Sequence, residues 1–368
     1  MKICGICGKN NKIEDKTMSN DIKISKIAQS KIDQVDINNI TMGNAFTDHM
    51  FVCDYQNGEW INPRIEPLEM IPTHPAAMAL HYGQAIFEGM KATLGKDGTP
   101  LLFRPIENAK RLNFSANRMG MPIFPEDLFV ESLKRFVDLE RNWIPTSDGS
   151  SLYLRPFMYA DEAFIGMRAA TSFKFIVMAS PAGPFFSKPI KLYAETKYVR
   201  AVNGGTGEAK AAGNYAAAIR PTEFAKAKGY DQVLWLDSQD FEYIQEVGTM
   251  NIFFKIDGKI LTPDLSGSIL SGITRMSVIT ILRDKGFEVI ERPITISEIK
   301  LASIRGTLEE AFGAGTAVGI AMIEEIGNMD FTINFPKENP VSQLVASTLK
   351  GIKLQEIEDK FGWIVEAK

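Results

Sequence analysis

Apolar and polar residues alternate with a period of two along several segments of the first half of the chain, which is typical of half-buried strands. The segment HMFVCDYQNGEW (49–60) predicts a strand, an Asn57-Gly58 hairpin turn and a returning strand. Residues 85–103 predict two further strands around a glycine-rich turn. SLYLRPFMY (151–159) and SFKFIVMAS (172–180) predict two more. The first half therefore contains a sheet.

Two amphipathic helices are predicted between these strand segments. The first, IENAKRLNFSANRM (106–119), follows Pro105 and ends at Gly120. The second, EDLFVESLKRFVDLERN (126–142), places its apolar residues roughly on one face, as a helix packed on a sheet requires. The residues on that face are Leu128, Leu133, Phe136 and Leu139.

The segment SPAGPFFSKP (180–189) breaks the pattern with three prolines and a glycine, and it is the candidate interdomain linker. Beyond it, strand-like segments alternate irregularly with helical ones, which predicts an α+β second half. The strand-like segments are KLYAE (191–195), DQVLWLD (231–237), FEYIQEV (241–247) and NIFFKI (251–256), and the helices lie near 215–228, 273–285 and 341–356. A chain of 368 residues favours two domains. We place a small domain at 44–181, the linker at 182–189 and a large domain at 190–368.

Composition narrows the class of protein. The chain is 45% apolar and 23% charged, and its formal net charge of −4 gives no basic surface for nucleic acid or for an anionic membrane. No apolar run approaches the ~20 residues that span a bilayer. The first residues, MKICGICGKNNKIEDK, lack the apolar core of a signal peptide. We therefore expect a cytoplasmic protein.

The first 43 residues are polar and lack a core-facing pattern, so we expect them to form a disordered extension. They contain Cys4 and Cys7 in a C-x-x-C arrangement. A structural zinc site needs four ligands, and the sequence has no second cysteine pair and no histidines at ligand spacing. Two incidental thiols are the favoured interpretation, and no metal is expected.

The segment GGTGEAKAAGNY (204–215) combines a glycine cluster with one lysine. A nucleotide phosphate loop requires glycine before the lysine and serine or threonine after it, whereas Ala209 and Ala211 flank Lys210. Two interpretations remain, an exposed lysine at a helix start and a nucleophilic amine. Apolar surroundings would lower the pKa of such an amine, although Glu208 would oppose this if it lay close.

Four other features favour the nucleophilic amine over the exposed lysine. Glu246 in QEVGTMN (245–251) could face a pyridine nitrogen, and Arg111 could hold a phosphate as a permanent cation. SGITR (271–275) and FGAGTA (312–317) could bind an anion through backbone N–H groups. Each has an ordinary explanation by itself. Together they resemble a pyridoxal-phosphate site with a lysine, a ring-nitrogen carboxylate and a phosphate cup.

The residues from Phe46 to the C-terminus resemble the branched-chain amino acid aminotransferases, which are class IV aminotransferases of fold type IV. The motifs that carry the resemblance are FTDHM (46–50), LHYGQAIFEGMKA (80–92), LFRPIENAKRL (102–112), YLRP (153–156), GGTGEAKAAGNY (204–215), QVLWLD (232–237), EVGTMN (246–251), SGITR (271–275) and FGAGTA (312–317). The resemblance implies a smaller N-terminal α/β domain, a larger C-terminal domain with a pseudo-barrel, and the cofactor between them.

The resemblance also implies roles for particular residues. Lys210 matches the lysine that holds pyridoxal 5′-phosphate covalently, and Glu246 matches the carboxylate at its ring nitrogen. The remaining cofactor contacts implied are Tyr215 at the ring oxygen and Arg111, Ile273, Thr274 and Thr316 at the phosphate. The substrate contacts implied are Phe87, Tyr153, Thr249, Ala317 and, for the distal carboxylate of glutamate, Arg155. Tyr82 and Ile165 match residues that family members contribute across a homodimer interface.

The activity implied is transamination of L-leucine, L-isoleucine and L-valine with 2-oxoglutarate. A D-amino acid aminotransferase and an aminodeoxychorismate lyase are the alternatives within the fold, but they are generally shorter and lack FTDHM. A binding protein without catalysis is the alternative from another class. Some mammalian members carry a C-x-x-C after the GAGT turn, where residues 317–320 here are AVGI, so that thiol switch is absent.

Overall fold

A computed structural model describes residues 21–184 and 188–368. Within these ranges two nine-stranded sheets form the framework, and helices pack on both. The helices are α1 (Met78–Tyr82), α2 (Pro105–Arg118), α3 (Glu126–Leu139), α4 (Ala212–Ala227), α5 (Ile273–Asp284), α6 (Ile296–Arg305) and α7 (Pro340–Lys353). None of the helices in the described ranges is long and apolar enough to cross a membrane.

The strands of the described residues form the two sheets. In chain order they are β1 (Lys23–Ile24), β2 (His49–Gln56), β3 (Glu59–Pro67), β4 (Ala85–Phe87), β5 (Met90–Leu94), β6 (Pro100–Phe103), β7 (Ser151–Ala160), β8 (Phe173–Ala182), β9 (Ile190–Ala194), β10 (Gln232–Leu236), β11 (Ile244–Val247), β12 (Asn251–Ile256), β13 (Lys259–Thr262), β14 (Val289–Glu291), β15 (Leu308–Gly315), β16 (Gly319–Gly327), β17 (Thr332–Asn334) and β18 (Ile364–Glu366).

The first sheet has the order β1-β3-β2-β8-β7-β5-β6-β18, with β4 beside β7. The second has the order β11-β10-β9-β16-β15-β12-β13-β14, with β17 beside β16. It mixes parallel pairs (β9 with β10 and β16) with antiparallel ones, which confirms the α+β class expected from the irregular element order. Strand β18 pairs antiparallel with β6, so residues 364–366 of the predicted large domain belong to the first sheet.

Most of the regular elements follow the sequence pattern. The hairpin of β2 and β3 turns at Asn57 and Gly58, which both adopt positive φ (54° and 86°), as a two-residue hairpin turn needs. Helices α2, α3, α4, α5 and α7 lie where helices were predicted. Helix α6 was missed, although Thr295 and Glu298 form a capping pair in which the threonine hydroxyl accepts the Glu298 backbone N–H at 3.0 Å.

Each sheet has its own apolar core. The apolar faces of α2 and α3 pack on the first sheet, where the buried side chains include Leu112, Phe129, Phe136 and Phe175. On the second sheet, α5 and α7 bury Val278 and Val345, among others, against Phe253 and Phe312. Strand β8 extends to Ala182, so the first residue of the predicted linker (182–189) belongs to the first sheet. Residues 185–187 of this linker lie outside the described residues.

The segment from Asp21 to Gly43 differs from the disordered extension that its composition predicts. Ile22 is buried, and β1 pairs in parallel with β3. Polar contacts hold the rest, because Asp48 accepts the Ser30 hydroxyl at 2.5 Å and the Lys31 backbone N–H at 2.9 Å. A polar segment can thus be ordered by acceptors that the folded domain supplies. Residues 1–20, with Cys4 and Cys7, lie outside the described residues.

We predict that Asp48→Ala loosens this segment and lowers the free energy of unfolding. The buried Asp48 carboxylate also accepts the Trp143 indole N–H at 2.9 Å, so the change leaves three donors without their acceptor. The expected loss is about 2–4 kcal/mol in urea unfolding, with faster hydrogen exchange over residues 22–40. Asp33→Ala is the control, because Asp33 is exposed and is expected to change stability by less than about 0.5 kcal/mol. Equal effects of the two substitutions would contradict the prediction.

Candidate active site

Lys210 lies between the two sheets, directly before α4, and its backbone is held from the first half of the chain. Its N–H donates to the Ser115 hydroxyl at 2.9 Å, and its carbonyl accepts the Phe87 N–H at 3.0 Å. The next residue, Ala211, forms an isolated antiparallel β-bridge with Ile86. The position of the lysine is therefore fixed by β4 and α2, far away in sequence.

The Lys210 amine points at a tyrosine hydroxyl and is desolvated. Its Nζ donates to the Tyr215 hydroxyl at 2.6 Å, one turn into α4, and lies 4.8 Å from the centre of the Phe87 ring. Burial, reinforced by the positive charge of Arg111, lowers the pKa of Lys210 to about 8. Glu208 lies beside Gly267 and lines a separate groove. The structure favours the reactive amine over the exposed lysine.

Glu246 is buried on β11, opposite the fully buried Trp235 of β10. Its Oε1 accepts the Leu270 backbone N–H at 2.6 Å and lies 3.3 Å from Nη2 of Arg200. Burial raises the pKa of Glu246, while Arg200 and the Leu270 N–H act in the opposite direction. The carboxylate lies behind Leu270, which lines the cavity. The sequence interpretation missed Arg200, because nothing in its local sequence distinguishes it.

Arg111 projects from α2 into a buried network. Its guanidinium forms a bidentate ion pair with Glu88 (Nε–Oε1 2.9 Å, Nη2–Oε2 2.7 Å), and its Nη1 donates to the Ser271 carbonyl at 3.0 Å. Burial alone would lower the pKa of Arg111, but the Glu88 charge raises it. A guanidinium has five N–H groups. Those not used by Glu88 and Ser271 remain for an anion in the cavity.

The two backbone segments proposed as an anion cup face the same space as Lys210. Helix α5 begins at Ile273, where unpaired N–H groups and the helix dipole favour negative charge. The turn between β15 and β16 brings Thr316 to the opposite side. Gly272 is required here, because a Cβ at this position would come 2.0 Å from Oδ1 of Asn251. Asn251 in turn donates to the Leu270 carbonyl at 3.0 Å and was not predicted.

A cavity of about 640 Å³ brings most of these groups together. Glu246 does not line it and lies buried beside Leu270, which does. The residues singled out from the sequence that line it are Lys210, Tyr215, Arg111, Ile273, Thr274, Thr316, Phe87, Tyr153, Arg155, Thr249 and Ala317. Tyr82 and Ile165 do not line it and are exposed on the surface. Met42 and Met178 line it without having been predicted, and Met42 belongs to the segment expected to be disordered.

Arg155 lines the same cavity and forms no ion pair with an acidic side chain among the described residues. Nη2 of Arg155 donates to the Tyr153 hydroxyl at 2.9 Å, and the guanidinium lies 4.5 Å from the centre of the Phe87 ring. Its Nε is buried and forms no hydrogen bond within the described part of the chain. The surrounding wall is apolar. Such a wall with one cation suits a ligand that carries either an alkyl chain or a second carboxylate.

Among the residues that the structure describes, no group of His, Cys, Asp and Glu side chains is arranged to hold a metal ion. The site instead offers a buried amine, an internal carboxylate, a hydroxyl and an anion cup. This arrangement is typical of an enzyme site in which an anionic cofactor is held beside a nucleophilic lysine.

Comparison with known proteins identifies the family. The family model described as amino-transferase class IV matches residues 85–326. The chain is 45% identical over 347 residues to branched-chain-amino-acid aminotransferase 2 of Bacillus subtilis (strain 168), covering 93% of this chain and 96% of that protein. The chain therefore belongs to the class IV aminotransferases.

Solved structures agree with this assignment. The branched-chain amino acid aminotransferase of Escherichia coli superimposes with a TM-score of 0.73 at 26% identity, covering 87% of this chain and 99% of that one. The branched-chain amino acid aminotransferase of T.th., complexed with N-(5′-phosphopyridoxyl)-L-glutamate, gives a TM-score of 0.69 at 27% identity, with coverage of 86% and 98%. The fold type expected from the sequence is confirmed.

We predict that Lys210 reacts as an amine of lowered pKa in the cofactor-free protein. Because the neutral amine is the nucleophile, the rate of reductive methylation at Lys210, followed by peptide mass spectrometry, is expected to rise with pH through a midpoint of about 8. Arg111→Met is expected to move the midpoint upward, because it removes a nearby positive charge and leaves the Glu88 charge unbalanced. A wild-type midpoint near 10.5, the ordinary lysine value, would contradict the assignment.

Proposed function

We propose that this chain transfers amino groups between L-leucine, L-isoleucine or L-valine and 2-oxoglutarate, giving branched-chain 2-oxo acids and L-glutamate in a reversible ping-pong reaction. The observation that carries the proposal is the desolvated Lys210 amine, which shares one cavity with an anion cup and with the guanidinium of Arg155. The names of the similar proteins, which are branched-chain amino acid aminotransferases, support the class of amino acid substrate.

The residues that line the cavity, together with Glu246 beside it, fit pyridoxal 5′-phosphate. Lys210 supplies the amine that would hold it, Glu246 the carboxylate for its ring nitrogen and Tyr215 a hydroxyl donor. The phosphate would be bound by the free N–H groups of Arg111 and by the groups of the anion cup, which are those of Ile273, Thr274 and Thr316. When bound, the cofactor supplies an electron sink for the charge left at the substrate α-carbon. The ligand named for the T.th. structure supports this fit.

Proton transfer falls to Lys210. Once the amino group of the substrate has replaced Lys210 on the cofactor, the freed Nζ would take the proton from the α-carbon as a general base. It would then deliver that proton to the cofactor as a general acid, and the reverse half-reaction would use the same two transfers in the opposite order. In the cofactor-free protein, the pKa of about 8 leaves part of the amine neutral near pH 7, and the neutral amine is the form that would attach the cofactor. Tyr215, in contact with Nζ at 2.6 Å, orients the amine.

Substrate choice follows from the wall of the cavity. Phe87, Tyr153, Thr249 and Ala317 line the region beside Lys210 and would contact a branched alkyl chain. Arg155 would pair with the distal carboxylate of glutamate or 2-oxoglutarate, which is the charge that its guanidinium lacks in the described contacts. One methylene changes binding by only ~1–3 kcal/mol, so all three branched-chain amino acids are expected to react.

We also propose a homodimer formed through the surface around α1 and the loop 161–172. The two segments adjoin, because Met78 N–H donates to the Glu162 carbonyl and Ala77 forms a bridge with Ala163. Exposed apolar side chains cover this surface, as expected of an interface. They are Leu80, Tyr82, Phe164, Ile165 and Met167. A cytoplasmic location stays a prediction from the sequence.

The activity is tested with purified enzyme and pyridoxal phosphate. We expect turnover of L-leucine with 2-oxoglutarate and a visible absorption band that borohydride removes. Lys210→Ala is expected to lower kcat by more than about a thousandfold and to abolish the band, because it removes the covalent amine and the proton carrier. Lys197→Ala, at an exposed lysine, is the control and should leave both unchanged. Turnover of D-alanine or aminodeoxychorismate, with none of L-leucine, would assign the chain another activity.

The dimer is tested by sedimentation. We expect a mass of about twice 40.9 kDa for the wild type and a single-chain mass for Ile165→Asp, because a charge in an apolar interface opposes its burial. Ile304→Asp is the matched control, since Ile304 is 83% exposed on α6, outside the proposed interface. A single-chain mass for the wild type would refute the proposal.

A further inference from the structure

Lys91 forms a hydrogen bond to the cavity wall that has no role in the function proposed above. It lies on β5, where it pairs with Tyr153 of β7, and Gly89, two residues earlier in the chain, lines the cavity. The Lys91 side chain crosses to the second half of the chain, where Nζ donates to the carbonyl of Ala317 at 2.8 Å. The contact joins residues 226 positions apart.

The acceptor belongs to the turn Gly315–Gly319, which joins β15 to β16 and is closed by pairing of its two end glycines. Thr316, Ala317 and Val318 line the cavity from this turn. Among the described residues, the bond from Lys91 is the one side-chain hydrogen bond made to these three residues. Because a trans peptide is planar, holding the Ala317 carbonyl also fixes the direction of the Val318 N–H.

Among the described residues, the Lys91 ammonium group contacts the Ala317 carbonyl and no acidic side chain. Burial lowers the pKa of Lys91 to about 8, and no carboxylate of the described residues forms an ion pair with it. Its cationic neighbour, Lys353 at the end of α7, lies with Nζ 4.7 Å from the Phe103 ring centre and makes no hydrogen bond to the turn. The two ammonium groups are neighbours, since the positive charge of Lys91 adds to burial in lowering the pKa of Lys353. Of the two, only Lys91 donates a hydrogen bond to the turn.

We propose that Lys91 is a positioning residue that fixes the 315–319 turn, so that this turn can contact the substrate bound beside Lys210. The lysine acts through the Ala317 carbonyl and does not itself line the cavity. Without it the turn would lose its attachment to the first sheet, and substrate would bind to a mobile wall. For its kinetic consequences the inference rests on the proposed transamination.

The test compares Lys91→Met, Lys91→Arg and Lys353→Met in the holoenzyme. Lys91→Met is expected to raise KM for L-leucine about tenfold while kcat falls less than about threefold, because a charged hydrogen bond that supports binding in ground and transition states alike is lost. Lys91→Arg keeps an N–H donor and a charge, and it should restore KM to within about threefold of wild type. Lys353→Met should behave as wild type, because Lys353 does not reach the turn.

A second measurement does not depend on activity. Hydrogen exchange of a peptide covering residues 312–320 in the cofactor-free protein is expected to be about tenfold faster in Lys91→Met and unchanged in Lys353→Met. Wild-type KM and wild-type exchange in Lys91→Met would overturn the inference, as would equal changes in Lys353→Met. If Lys91→Met does not fold, Lys91→Gln takes its place with the same expected changes. If the wild type does not turn over L-leucine, the proposed function fails, and exchange alone decides the role of Lys91.

Discussion

A buried ion pair between Glu88 and Arg111 is the interaction on which the site depends. Glu88 is fully buried and is fixed to the first sheet by its N–H bond to the Pro156 carbonyl, while Arg111 reaches the Ser271 carbonyl in the second half. Removal of one member would leave an uncompensated buried charge, at a cost of about 3–5 kcal/mol. The pair therefore links the segment that leads into α5 to the first sheet, at the wall of the cavity that Arg111 lines.

The segment 268–271, which leads into α5, shows how such polar contacts fix a site before any ligand binds. Four side chains from separate parts of the chain hold its backbone. The contacts are Arg200 to the Ser268 carbonyl, Glu246 to the Leu270 N–H, Asn251 to the Leu270 carbonyl and Arg111 to the Ser271 carbonyl. Because Glu246 and the N-terminus of α5 are tied to one short segment, the carboxylate and the anion cup keep a constant separation. Preorganised charges of this kind need no reorganisation during a reaction.

The cavity combines two requirements that usually exclude each other. An alkyl side chain needs an apolar wall, and a second carboxylate needs a cation. In the proposed function Arg155 would meet both requirements. Its guanidinium lies over the Phe87 ring and donates to the Tyr153 hydroxyl, so aromatic side chains and not a carboxylate surround the charge. Met42 from the N-terminal segment also lines this cavity, together with Lys210. No sequence pattern had indicated that Met42 lies at the site.

The sequence by itself determined most of the local elements and the family, and it predicted which residues form the candidate site. The Asn57-Gly58 turn, the amphipathic helices and the Lys210 segment depend on neighbouring residues, so their patterns are visible in short stretches, and several spaced motifs together indicated the family. Only the tertiary structure decided which distant groups meet. The order of residues 21–43, the return of β18 to the first sheet, and the contacts of Arg200 and Lys91 were not predictable, because each joins residues far apart in sequence and leaves no periodic signal. Which polar groups pair between the two sheets depends on their positions in three dimensions, and the order of residues along the chain does not show those positions.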